Sequence, residues 1–156
     1  MPRFSTFVTV LVTALIFGCS TRSDRSEDEF RSEVNNFMTE YAADIGICNA
    51  EGVAARYNRL GAYVMGNGRK EFKSYDSIRL GYINEWDCQE QPSFEIKDLS
   101  FEILSADAVL VSGRFDWSRG DSMEAQNFSY TGILIRQDGE LRILLEDESL
   151  QQGIIN

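Results

Sequence analysis

The stretch "FSYTGILIRQDGELRILLEDES", residues 128–149, consists of two apolar-rich runs joined at Asp138-Gly139. Asp-Gly tolerates the positive φ angles that a two-residue turn requires, so the dipeptide marks a hairpin. The runs 127–137 and 140–148 are therefore predicted to be paired strands. In the second run a two-residue period puts Leu141, Ile143, Leu145 and Asp147 on one face, and Arg142, Glu146 and Glu148 on the other. Asp147 thus continues an apolar face. It meets either solvent at the rim or a pocket that raises its pKa and suits it to acid/base work.

Upstream, strand-like alternation covers 93–104 and 107–117, beyond Pro92. In the second of these, Ser112, Arg114 and Asp116 share a face opposed by Val111, Phe115 and Trp117. That polar face reads either as cross-strand ion pairing on an exposed surface or as a pocket wall that orients a ligand. Alternation alone leaves open which face turns inward.

Before Pro92 the period is helical. Ser26 and Glu29 match a capping box, after which Phe30, Val34, Phe37, Met38, Tyr41 and Ile45 form one apolar stripe. Asn49 can cap a second, short helix in which Val53, Tyr57 and Leu60 share a face. Residues 62–65 read as a brief strand stopped by Gly66-Asn67-Gly68, and a third helix is expected over 76–89 with Ile78, Tyr82 and Trp86 four apart. Helices followed by an antiparallel meander make an α+β fold.

The N-terminus carries an address. Arg3 precedes an apolar run from Phe4 to Gly18, the layout of a secretory signal. Fifteen helical residues reach only about 22 Å, short of the roughly 30 Å hydrocarbon core. Residues 20–27, "STRSDRSE", are polar and form a tether.

At 156 residues the chain is one domain by size. Its net charge of -10 repels nucleic acid, so no nucleic-acid partner is expected. No histidine is present, which excludes a His-containing triad and removes the commonest metal ligand. No metal or cofactor is expected, and proton chemistry falls to carboxylates, tyrosines or lysine. Cys48 and Cys88 are an even pair in an exported chain, open to a disulfide or to two separate buried thiols.

Ile16-Phe17-Gly18-Cys19 resembles a bacterial lipobox. The resemblance implies cleavage after residue 18, with diacylglycerol and acyl chains such as palmitate on Cys19. It also implies a lipoprotein of the bacterial envelope, with Ser20 favouring the outer membrane and a domain facing the periplasm. The parts are then a signal peptide at 1–18, a lipidated cysteine and tether at 19–27, a folded domain at 28–150 and a tail at 151–156.

The order of elements in that domain resembles the nuclear transport factor 2-like superfamily, specifically its SnoaL-like branch. The text "CNAEGVAARYNRLGAYVMGNG" is similar to that family's second helix and first strand, "DAVLVSGRFDW" to its central strand, and the opening hairpin to its last. The resemblance implies a cone, three N-terminal helices on a curved antiparallel sheet, with a pocket at the open end and a homodimer through the sheet. Isomerase-like members of the family carry a carboxylate base at the end of the first strand, where this chain has Met65-Gly66-Asn67. The family's His-x-His on the last strand is replaced by Leu145-Glu146-Asp147. The expectation is therefore a non-catalytic module that holds a small apolar ligand or docks an envelope protein. The alternative is an isomerase, cyclase or dehydratase using Asp147 or Asp116. Tyr41, Tyr63, Tyr82, Trp86, Arg114 and Tyr130 are the candidate pocket residues, each with ordinary core duty as its competing role.

Overall fold

A computed structural model describes residues 26–66, 68–86, 88, 92–120 and 124–150. The expected signal peptide (1–18), Cys19, most of the expected tether, Asn67 and the tail at 151–156 lie outside the described residues. Helix α1 (Glu27–Gly46) starts at the expected box: the Ser26 hydroxyl accepts from the Glu29 N–H at 3.2 Å, and the Glu29 carboxylate accepts from the Ser26 N–H at 3.0 Å. All six residues of its apolar stripe are buried. Helix α2 (Ala50–Ala55) is capped by Asn49, whose side chain accepts from Gly52.

That helix is shorter than the pattern implied. Leu60 is 80% exposed, and Tyr57 has left the helix to bridge Ile143. The Asn58 N–H donates to the Ile143 carbonyl at 3.0 Å and the Ile143 N–H to the Arg56 carbonyl at 2.8 Å. The backbone here finds its partners on a strand rather than one helical turn back. Strands β1 (Ala62–Gly66) and β2 (Arg69–Lys73) form a hairpin, of which the sequence reading saw only the first half. The second, Arg-Lys-Glu-Phe-Lys, lacks an apolar face because it is an exposed edge strand, where charge guards against stray pairing.

Helix α3 (Tyr75–Asn84) begins on Ser74, which accepts from the Ser77 N–H, and ends five residues before the expected boundary. Trp86 consequently sits in the segment after the helix. Cys88 in that segment is bonded to Cys48, with the two Cα atoms 6.0 Å apart. Closing a loop of 40 residues, the bond constrains the unfolded chain. Replacing both cysteines with serine is expected to lower stability by about 3 kcal/mol, read from urea unfolding without reductant.

The long strands β3 (Pro92–Ser105), β4 (Ala108–Arg119), β5 (Gln126–Gln137) and β6 (Glu140–Leu150) complete a sheet of order β2-β1-β6-β5-β4-β3. It is not wholly antiparallel as expected, since β1 lies parallel to β6. Asp138 and Gly139, at φ 53 and 86, make the opening hairpin turn. Irregularities in β3 between Lys97 and Ser100, and in β6 opposite Ile133 and Leu134, bend the sheet around the helices. Val34, Val53, Val109, Val111, Leu134 and Ile143 are sealed in the core between α1, α2 and the sheet. No helix among the described residues is long and apolar enough to cross a membrane.

Candidate functional site

The bulge in β6 determines which carboxylates enter the cone. Leu134 pairs with Ile143 and the preceding Ile133 with Leu145, so Leu144 has no opposite number. One extra residue reverses the side-chain phase downstream. Leu141 and Ile143 point to the core, and beyond the bulge Glu146 and Glu148 take over that inward phase. Asp147 therefore stands on the outer face, where it accepts from the Ser149 hydroxyl at 3.1 Å, and it is not a pocket residue.

The other sequence candidates divide in the same way. Asp116 is held on the outer face by Lys97 and by Asn127 Nδ2 at 2.7 Å, and exposed Arg114 is paired with Asp98. Asp116 belongs to surface ion pairing, and Arg114 pairs there while also bordering a gap of only about 10 Å³ beside Tyr41 and Tyr130. Tyr63 is 39% exposed and packs on Phe72, also away from the cone. Tyr41, Tyr82, Trp86 and Tyr130, by contrast, converge on Glu146 and Glu148. Tyr57 joins them through its bridge to β6; its helix-like spacing concealed that role.

Glu146 is only 5% exposed. Its Oε1 accepts from the Tyr57 hydroxyl at 2.6 Å, and Tyr57 Oη lies 2.9 Å from Tyr82 Oη. Tyr57 has one proton and gives it to Glu146, so Tyr82 must be the donor to Tyr57. The chain of hydrogen bonds runs Tyr82 to Tyr57 to Glu146. Tyr130 reaches the same place from β5: a Cβ on Gly132 would stand 2.6 Å from its hydroxyl, and Gly132 is the register partner of Glu146. A side chain at 132 would displace that ring. Among the described residues the Tyr130 hydroxyl and Glu146 Oε2 are buried without a hydrogen-bond partner; Glu146 belongs to the wall of a cleft, whereas Tyr130 stands behind it.

Burial pushes the Glu146 carboxyl up to about 7, against the Tyr57 and Tyr41 hydroxyls and the Lys73 charge, which all favour its ionised form. Burial, then the negative charges of Glu146 and Asp147, push Glu148 up to about 8. Tyr41, Tyr57, Tyr82 and Tyr130 are raised by burial first and by Glu146 next, so they keep their protons and act as donors.

Two clefts open on this network. One, of about 260 Å³, is walled by Tyr57, Val64, Lys73, Tyr82 and Glu146 among others. The second, of about 280 Å³, contains Glu148 and a group of aromatic rings, and the clefts share Tyr82 and Trp86. Phe94, Phe115 and Phe128 line the second in a row with centroids 4.7 and 4.8 Å apart. Larger depressions of 680 and 550 Å³ lie elsewhere on the surface, lined by charged side chains such as Arg31, Arg136 and Arg142 that are already ion-paired. Among the described residues no group of three or more Cys, Asp or Glu is placed to hold a metal.

No protein-family model matches the chain, and neither does any curated protein. Solved structures do. A nuclear transport factor 2-like protein of unknown function from Shewanella oneidensis superposes with a TM-score of 0.65 at 17% identity, covering 76% of this chain and 98% of the other. A cystatin-like protein of unknown function from Nostoc punctiforme gives 0.65 at 9% identity, over 80% and 93%. A third, from Novosphingobium aromaticivorans, is a nuclear transport factor 2-like protein with a cystatin-like fold; it gives 0.65 at 11% identity, over 80% and 84%. With its curved six-stranded sheet, three helices and a cone that opens beside β6, the chain has the nuclear transport factor 2-like, cystatin-like fold.

Proposed function

We propose that the cone holds a small organic molecule and moves a proton on it, with Glu146 as acid/base and Tyr57 and Tyr82 as hydrogen-bond donors. The reaction class is isomerisation or dehydration. The observation that carries this reading is a buried carboxyl at the wall of a partly aromatic cleft, bonded at 2.6 Å to Tyr57 and pushed up to about 7. Near neutral pH both of its forms are populated, so the carboxylate can take a proton and the acid can return it. The expectation of a non-catalytic module leaned on the missing carboxylate at the end of β1. Glu146 offers one from the last strand instead.

The test is proton exchange in deuterium oxide, followed by proton NMR, across a panel of enolisable ketones and β-hydroxy carbonyl compounds. Exchange is expected with at least one of them and should depend on Glu146. Saturable binding of panel members without any exchange would return the cone to a binding role.

We propose further that the mature chain begins at a lipid-bearing Cys19, is anchored in the bacterial envelope facing the periplasm, and pairs as a homodimer through the sheet. The support is the run from Phe4 to Cys19 and the fold. A detergent-extracted chain whose N-terminal peptide begins at residue 19 with acyl mass supports the anchor. An unmodified N-terminal peptide would refute it.

A further inference from the structure

The Glu146 network leaves Glu148 unused. This second carboxyl points into the cleft of about 280 Å³, where Trp86, Trp117, Phe94, Phe115 and Phe128 supply most of the wall. Among the described residues no Lys or Arg lines that cleft, and no hydrogen bond or ion pair engages the Glu148 carboxylate. Of the nearby cations, Lys73 lines the neighbouring cleft and acts on Glu146, and Arg119 stands over the Trp117 ring, 5.9 Å from its centroid, without lining the cleft.

An apolar neutral ligand would leave this carboxyl without a partner. A cation would answer both features at once, because aromatic faces carry negative charge density and a carboxylate in a poorly solvated wall lacks only a counter-ion. We propose that this cleft binds an organic cation, an alkylammonium or quaternary ammonium group, with Glu148 as its counter-ion and the indole and phenyl rings as its cage. The inference rests on the reading of the cone as a ligand site and names the chemical class of that ligand.

Proton linkage follows. The titratable groups on the inner side with Glu148 are Glu146 on its own strand, Tyr130 in register on β5, Tyr41 on α1, Tyr57 after α2 and Tyr82 on α3; Asp147 acts on it from the outer face, Asp116 of β4 is on that outer face with Lys97, and Arg119 lies over Trp117. The buried tyrosines stay protonated, which leaves the two glutamates to titrate. A quaternary ammonium keeps its charge at every pH, so its binding to the carboxylate displaces the proton held there. Its association constant should rise with pH, by at most about tenfold per unit, until Glu148 is ionised, and level off above.

Both tryptophans of the chain line the cleft, so intrinsic fluorescence reports its occupancy. The probes are choline and its uncharged carbon isostere 3,3-dimethylbutan-1-ol, titrated at about pH 8 and at about pH 6, with circular dichroism confirming the fold at both. The expected result is at least tenfold tighter binding of choline at the higher pH, a preference that shrinks at the lower pH and is erased by Glu148→Gln. Equal binding of the two probes to the wild-type protein would overturn the cation while leaving the ligand site standing. A preference that survives Glu148→Gln and ignores pH would overturn Glu148 as counter-ion. Binding of neither probe would overturn the cation site, and the exchange experiment would still test the proton-transfer reading separately.

Discussion

Glu146→Gln is expected to reduce proton exchange on a substrate of the cone by about 10²–10⁴-fold while leaving its binding within a few-fold of wild type. Glutamine matches the shape of the side chain and keeps an oxygen that can accept from Tyr57, so the 2.6 Å contact and the packing around it have no reason to collapse. What disappears is the group that gains and loses a proton. The loss should fall on kcat rather than on KM, and circular dichroism should be unchanged. The wild-type rate, limited by the ionised form as base, should rise with pH through about 7. Tyr57→Phe gives an independent reading: the Tyr57 hydroxyl favours ionised Glu146, so its removal should shift that rise to higher pH. A variant Glu146→Gln with wild-type exchange would remove Glu146 from the chemistry altogether.

Much of the fold was legible because its signals are local. The capping box at Ser26 and Glu29, the stripe from Phe30 to Ile45 and the Asp138-Gly139 turn depend on residues within a few positions of each other. The site was legible only in part. Tyr41, Tyr82, Trp86 and Tyr130 could be named from their aromatic character, but the choice among carboxylates depended on a single bulged residue, Leu144. Strict alternation continued through that bulge kept Asp147 on the face of Leu141 and Ile143 and put Glu146 and Glu148 on the other, the reverse of what the register produces. A bulge forms where two strands must match in space, and one strand's own sequence does not announce it. Tyr57 was hidden for a related reason: its spacing from Val53 looked helical, while its backbone pairs with Ile143, 86 residues away. Strand β2 carried four charges in five residues, the composition of an edge rather than of a core strand.

Stability should fall as pH rises from about 5 to about 9, by on the order of a few kcal/mol, and the double variant Glu146→Gln, Glu148→Gln should abolish most of that slope. Both carboxyls sit higher in the folded chain, at about 7 and about 8, than the usual value of 4.5 for an exposed glutamate. Between those limits the folded state holds protons that the unfolded state has released, so raising the pH favours unfolding. Their contribution is intact below about 4.5 and is lost progressively as pH climbs through 7 and 8. Each pH unit of displacement is worth about 1.4 kcal/mol, so even a part of these two displacements amounts to a few kcal/mol. Domains of this size have only about 5–15 kcal/mol in total, so the protein should approach its unfolding limit in mild alkali. The net charge of -10 adds repulsion in the same direction but is shared by wild type and variant to within the two removed charges. Urea midpoints measured at about pH 5, 7 and 9 provide the comparison. A wild-type midpoint that holds steady or rises toward pH 9 would mean that these carboxyls ionise as exposed groups do. That result would take away the physical basis for both the acid/base role of Glu146 and the proton-linked binding of a cation at Glu148.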